Sequence, residues 1–407
     1  MEQRKRLRRA NRLSQVRFRL TREGANLVFV VVFIFVGAVL RDISLLILIA
    51  AAMIGLLLLQ WRFNITTISR LHATRRVLNR VSQGAKAQCT LTISNSKRWV
   101  GAWLIIADDT IKKVSPAAKR PNSHGKAIID EISPQSKKEG SYTLVFHERG
   151  LYEVGPCTLS TRFPLGLGRG WRVIDQVDEI IVHPKLGELK PAFKTLLQNS
   201  RDGHHHSSAH VGVHEADFYG LRPWASGDSR RWIHWRTTAR LGELSVRQFD
   251  RLEQQQSCLL LDLFQATDSE DAEQLQACEK AISFVATLVT HAARSHGNKL
   301  SVCIAGDSEF CLTGIQSSVL GNSMLDRLAT LSPSGNPNIA AALKSMTPAL
   351  LANPSLIVVS TRPQASQSIQ TTFSNLLGPK ASTRLRIHWF NVSQGDLEPY
   401  FLWTSSE

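Results

Sequence analysis

Residues 25–61 read ANLVFVVVFIFVGAVLRDISLLILIAAAMIGLLLLQW. Two apolar runs, 25–40 and 43–61, are split by Arg41 and Asp42. A bilayer-crossing helix needs about 20 apolar residues, so the second run is long enough and the first only just. Together they predict a helical hairpin with a minimal turn, with Arg41 and Asp42 able to pair at the far interface. A single signal anchor or a buried core hairpin are the alternatives. A cleavable signal peptide is not expected, because no small-residue cleavage site leads into a soluble start and a second apolar run follows at once.

The flanks orient this hairpin. Arg4, Lys5, Arg6, Arg8, Arg9, Arg12, Arg17, Arg19 and Arg22 precede it, and Arg62, Arg70, Arg75, Arg76 and Arg80 follow it. Basic flanks stay in the cytosol. The expectation is a multi-pass cell-membrane protein with a basic cytosolic tail over 1–24, two transmembrane helices within 25–61, and C-terminal domains in the cytoplasm. The formal net charge of +16 fits that reading. Residues 1–80 hold 15 Lys+Arg against 3 Asp+Glu, while the remainder holds 34 against 30. The excess borders the apolar runs, so a lipid bilayer explains it better than nucleic acid, which is not expected as a partner. The six cysteines, at 89, 157, 258, 278, 303 and 311, form no C-x-x-C pair. They predict neither a zinc site nor a disulfide framework, and suit a reducing compartment.

Beyond the hairpin the pattern shortens to alternation, as in Gln88-Cys89-Thr90-Leu91-Thr92-Ile93. Half-buried strands have this period, and residues 62–190 are expected to form a small β-sandwich, with a long mobile Lys-rich loop at 110–140. Residues 191–215 read as a polar linker. Its five histidines (204, 205, 206, 210 and 214) lack the cysteine or carboxylate at ligand spacing that a metal site needs. Residues 255–407 alternate strands (257–263, 301–305, 356–360, 385–390) with helices (270–295, 320–331, 339–346). Such alternation predicts a parallel α/β sheet, whose ligands would bind beyond the carboxyl ends of the strands, at Asp262, Gly306 and Ser360. The fold class is α/β.

Between linker and sheet lies the signature segment, 216–254. Its core, residues 217–253, reads DFYGLRPWASGDSRRWIHWRTTARLGELSVRQFDRLE. Gly227-Asp228 predicts a turn and an N-cap, a helix from Ser229 to Leu241 stopped by Gly242, and a strand over 244–249. Arg222, Arg231 and Arg240 are expected to converge on Asp228. Trp232 and Trp235 lie three apart on one helix face.

This segment resembles the bacterial domain of unknown function family 58. The resemblance is carried by Phe218, Leu221, Arg222, Gly227, Asp228, Arg231, Ile233, Trp235, Thr238, Ala239, Arg240, Leu244, Val246 and Arg247. Asp217 and Trp224 stand where the family usually has Glu and Tyr. Upstream, Arg149-Gly150-Leu151-Tyr152 and Phe163-Pro164-Leu165-Gly166-Leu167 also look like the family. The resemblance implies a membrane-anchored protein ending in a von Willebrand factor A-like domain, from genes commonly found beside MoxR-type AAA+ ATPases. The metal position of that domain class needs D-x-S-x-S, with hydroxyls and carboxylate facing Mg²⁺. Here Asp262 is followed by Phe264 and Ala266 in the serine positions, so a degenerate site without metal or cofactor is expected.

The function expected is therefore a scaffold or assembly factor that binds protein partners, an AAA+ ATPase among them, and not an enzyme. The alternatives are an enzyme with a site at Asp228, His234 and the arginines, or a nucleic-acid-binding module built on the Arg/Trp helix, against which the near-neutral charge after residue 80 counts. His234 lies within helical reach of Arg230 and Thr238, which offer no general-base pairing, and no G-x-S-x-G, H-E-x-x-H or Cys–His arrangement is present.

Overall fold

The computed structural model describes residues 15–114, 123–193, 195–196, 218–226, 228–249, 256–265, 272–293, 299–306, 310–315, 317–352, 355–362 and 386–403. The histidine-rich stretch 198–214, Asp217, Gly227 and Ala266 lie outside the described residues. The fold is mixed α/β, with two apolar N-terminal helices and several sheets. Two compact units divide the chain, the first mainly residues 1–185 and the second mainly 186–405.

In the first unit, helix α1 (Arg22–Leu40) and helix α2 (Ser44–Ile68) are both long and apolar enough to cross a membrane. Only 17% and 11% of their apolar windows are buried within the protein. A core hairpin of a soluble protein would cover far more, because exposed apolar area is costly. Arg41 and Asp42 occupy the turn, and no ion pair joins them. Helix α2 also runs seven residues past Trp61. Beyond the apolar run it buries Asn64, Thr67 and Ile68 against the strands of this unit.

Those strands are β1 (Arg17–Leu20), β2 (Leu71–Arg76), β3 (Arg80–Ser82), β4 (Lys86–Asn95), β5 (Ala102–Lys113), β6 (Ser123–Ile132), β7 (Lys137–Val145), β8 (Gly150–Thr161), β9 (Gly168–Ile174) and β10 (Asp178–His183). One sheet is β2-β4-β7. The other follows β1-β9-β8-β10-β3, with β5 on β8 and β6 on β5. Alternate residues of both sheets, among them Leu91, Ile93, Ile105, Leu144 and Leu159, share one core. Two expectations change here. Residues 17–20 of the basic tail pair with β9. Most of 110–140 is strand, with only 115–122 outside the described residues.

A charged network crosses that core. Arg75 donates to Asp109 and Asp178, and the Tyr142 hydroxyl donates to Asp109. The Arg75 and Asp109 side chains are fully buried. Burial works against the Arg75 charge, but its bonds to Asp109 outweigh that and hold its pKa above the ordinary value.

Both apolar helices plug into the loop between β8 and β9. Thr21, the N-cap of α1, donates from its hydroxyl to Gly166 O and from its amide to Leu167 O. Gly24 approaches so closely that a Cβ there would lie 1.8 Å from Leu167 O. From α2, the Gln60 amide nitrogen donates to Arg162 O, Phe163 O and Gly168 O, and its oxygen accepts from Leu165 N. Asn64 adds a bond to Gly168 O. Lys97 closes the carboxyl end of α2 by donating to Thr66 O and Thr67 O at 2.7 and 2.6 Å. Burial pulls Lys97 down to about 8. The partial negative charge of the helix end favours a cation there.

The second unit begins with β11 (Glu188–Leu189), β12 (Phe218–Pro223) and β13 (Ser245–Phe249). Between β12 and β13 lie a 3-10 turn (Arg230–Trp232) and helix α3 (Trp235–Leu241). The main sheet is built from β14 (Gln256–Asp262), β15 (Lys299–Ala305), β16 (Phe310–Ile315), β17 (Ser355–Ser360) and β18 (Arg386–Asn391), in the order β16-β15-β14-β17-β18. All pairs are parallel except β15 with β16. Helices α4 (Ala272–Ala293), α5 (Ser318–Thr330) and α6 (Ile339–Ala352) complete it, and β19 (Phe401–Leu402) pairs with β11. Side chains of β14, β15 and β17 on one face, such as Leu260 and Val358, pack on α6. On α4, Phe284 stacks edge-on against Phe193, Phe390 and Phe401. The sequence predicted no disulfide, but Cys303 and Cys311 stand opposite each other in the β15–β16 ladder and are joined. The antiparallel edge strand β16 was the unforeseen element that makes the pairing possible.

Candidate functional site

The signature segment is a hairpin with an insertion. Strands β12 and β13 pair antiparallel from Phe218↔Phe249 to Pro223↔Ser245. The helix predicted from Ser229 to Leu241 is broken. Ile233 turns extended and His234 leaves the helical conformation, because Ile233 bridges Val246 and His234 N donates to Ser245 O. The gain is a small buried centre of Ile233, Ser245 and Val246. Gly242 closes α3 in the left-handed conformation, as its sequence position predicts.

Asp228 is not the helix cap. Its Oδ1 and Oδ2 accept from Arg222 Nη2 and Nη1 at 2.6 and 2.7 Å, and Oδ2 also accepts from Ala225 N at 2.9 Å. The carboxylate is a turn brace, with its side chain 6% exposed while Arg222 is 34% exposed. The Arg222 bonds hold Asp228 below the usual carboxylate range. The caps fall elsewhere. Ser229 Oγ accepts from Arg231 N at the 3-10 turn, and His234 Nδ1 accepts from Thr237 N at α3. Thr238 Oγ1 accepts from Ser245 N and ties α3 to β13. His234, Thr237 and Ser245 are the working residues that spacing alone did not show.

Of the three arginines expected on Asp228, only Arg222 reaches it. Arg231 and Arg240 are exposed, and neither forms an ion pair among the described residues. Arg230, Arg236 and Arg247 are exposed as well. So are Leu221, Trp224, Leu241 and Leu244, and Trp235 is 66% exposed. A scattered exposed leucine needs no explanation, but two tryptophans and three leucines among five arginines on so short a segment do. Tryptophan and arginine are enriched where proteins bind proteins.

The carboxyl ends of β14 and β17 form the second place of interest. Asp262 is fully buried. Its Oδ2 accepts from Ser360 Oγ at 2.7 Å and from Arg362 Nε at 2.9 Å, and its Oδ1 has no partner among the described residues. Arg362 also donates to Pro337 O at 2.9 Å and lies 5.2 Å over the Phe264 ring. Burial pushes the Asp262 carboxyl up, while Arg362 and Ser360 pull it back. This set does not suit Mg²⁺, which wants several oxygen ligands. Phe264 supplies a ring where an oxygen is needed, and a guanidinium already sits against the carboxylate. Arg362 was not foreseen, because 100 residues separate it from Asp262 in sequence.

Comparison with known proteins gives one specific match. No curated protein matches. Among solved structures, the alkylpurine DNA glycosylase of Pseudomonas fluorescens shares 9% identity over 28% of this chain and 30% of its own, with a TM-score of 0.21. A CARDB domain of Pyrococcus furiosus shares 11% over 28% and 91%, with a TM-score of 0.18. The superoxide reductase of Ignicoccus hospitalis shares 9% over 28% and 81%, with a TM-score of 0.20. Likenesses this slight carry no argument about fold or function. The specific match is to a family model covering residues 220–387, from the signature hairpin into β18. Over that stretch the chain carries a member of the family described as "Protein of unknown function DUF58".

Proposed function

We propose that this chain is a multi-pass membrane-anchored scaffold whose signature hairpin binds a protein partner in the cytosol. The observation that supports this most is the exposed Arg/Trp surface on a hairpin braced by its own bonds. Asp228, Ser229, His234 and Thr238 spend their polar atoms inside the segment, while Trp235 and Arg236 are left outward. An enzymatic reading is less supported, since His234 Nδ1 is taken up in capping α3 through the amide and hydroxyl of Thr237. The partner that the family resemblance implies is a MoxR-type AAA+ ATPase. The parallel sheet belongs to this reading as a von Willebrand factor A-like platform whose metal position is closed by Arg362. Site-specific photo-crosslinking from position 235 in native membranes tests it. Recovery of the ATPase, lost on Arg236→Ala with melting unchanged, is the expected result. Crosslinks to lipid or to this chain alone would count against the scaffold.

A further inference from the structure

Beside the start of α1 the first unit carries an open cavity of about 710 Å³. Arg19, Arg22, Arg162 and Arg169 line it, with the carboxylates of Glu23 and Asp108. Asp108 is engaged by His124, whose Nδ1 lies 3.0 Å from its Oδ1. None of the four arginines forms an ion pair among the described residues. Arg19 and Arg169 stand directly opposite each other in the β1–β9 ladder. Like charges in that position repel, so the fold holds two guanidinium groups where each disfavours the other. An anion between them reverses the sign of that interaction. Arg169 keeps one bond, from Nη2 to Ser160 Oγ at 3.2 Å, which fixes its direction and leaves other N–H groups for a ligand.

Location narrows the anion. Thr21 and Arg22, the cap and first residue of α1, border the cavity, so it opens where the first apolar helix begins. Trp171 lines it too, and tryptophan favours the headgroup level of a bilayer. An anion with an apolar tail would place its charge in the cavity and its chains along α1.

We propose that this cavity binds the phosphate of an anionic phospholipid, held by Arg19 and Arg169, with Arg22 and Arg162 as flanking charges. Guanidinium groups pair with phosphate oxygens through parallel N–H bonds. The proposal rests on the membrane anchoring proposed above, which supplies the lipid.

The test uses the full-length chain in nanodiscs of phosphatidylglycerol and phosphatidylcholine, with retained lipid counted by native mass spectrometry. The parent is expected to retain phosphatidylglycerol preferentially. Arg19→Gln/Arg169→Gln should lose that preference by roughly tenfold, the scale of losing charge-assisted bonds. Arg19→Lys/Arg169→Lys keeps the charge and should keep part of the preference, which separates lost charge from lost fold. Arg62→Gln, outside the cavity, should behave as the parent. Equal preference in the parent and the Gln double variant overturns the site. Binding of inorganic phosphate alone, without lipid preference, overturns the lipid assignment. Carbonate extraction distinguishes the two levels. A chain that stays in the membrane without lipid preference disproves the cavity alone. A chain released by carbonate disproves the anchoring, and the lipid with it.

Discussion

At the scale of single residues, charge placement separates bracing from binding. Asp228 braces a turn, and its partner Arg222 is a third exposed. Asp228→Ala should therefore cost about 1–2 kcal/mol, less than the ~3–5 kcal/mol of breaking a buried pair. Because Asp228 is held below its ordinary pKa, its contribution is present above about pH 4 and lost as the pH falls through the lowered value. Thermal melts of parent and variant should converge in acid. Asp262 behaves oppositely. Its pKa is raised by burial, so its charge costs stability increasingly as the pH rises from the ordinary carboxylate value through the raised one. Arg362→Ala should remove the counter-charge and cost about 3–5 kcal/mol at neutral pH. That deficit should shrink at pH 5 and largely vanish in Asp262→Asn/Arg362→Met. A deficit independent of pH would disprove the charge argument. In the parent, millimolar Mg²⁺ should leave the melting temperature unchanged.

At the scale of elements, the loop between β8 and β9 is a socket. It contains Phe163-Pro164-Leu165-Gly166-Leu167, a stretch that the sequence marked only by resemblance. Its backbone groups meet Thr21 and Gly24 from α1, and Gln60 and Asn64 from α2. Gln60→Leu should leave Leu165 N and Phe163 O without their side-chain partner and cost about 1–3 kcal/mol. Gly24→Ala should push α1 off Leu167. Limited proteolysis of the detergent-solubilised chain should then cut near residues 20–24 or 162–168 faster than in the parent. Unchanged cleavage would mean that the helices are held elsewhere.

What was legible in the sequence follows the same division. The apolar runs, the alternating strands and the strands β14, β15 and β17 announce themselves through local periodicity. The strand RFRL of β1 does not, because four mostly exposed residues carry no pattern, and only pairing with β9 makes them a strand. The break at Ile233 and His234 was hidden because Gly227-Asp228 and Gly242 bracket the stretch as one helix, and contact with Val246 and Ser245 interrupts it. Arg75 was read as a membrane-flanking charge, yet it lies buried on Asp109, 34 residues away in sequence. Arg362 on Asp262 is separated by 100 residues. Spacing cannot show partners that the fold brings together from so far apart.

At the scale of the whole molecule, the prediction is one of sidedness. With basic residues on both flanks of the hairpin, residues 62–407 should lie in the cytosol. A C-terminal reporter active only in the cytosol should be active, and cysteines introduced in the 41–42 turn should react with impermeant reagents from outside. An extracytoplasmic C-terminus would remove both the anchoring geometry and the ATPase from consideration.

The continuous helix from Ser44 to Ile68 carries one further consequence. Its outer stretch is apolar and its last turns are bonded into the two-sheet unit by Gln60, Asn64 and Lys97. A helix longer than the local hydrocarbon thickness answers by tilting. Since α2 runs without a break into the sheets of the first unit, a lean imposed by a thinner bilayer would pass to that unit, which would then be the pointer of a gauge that reads membrane thickness as an angle.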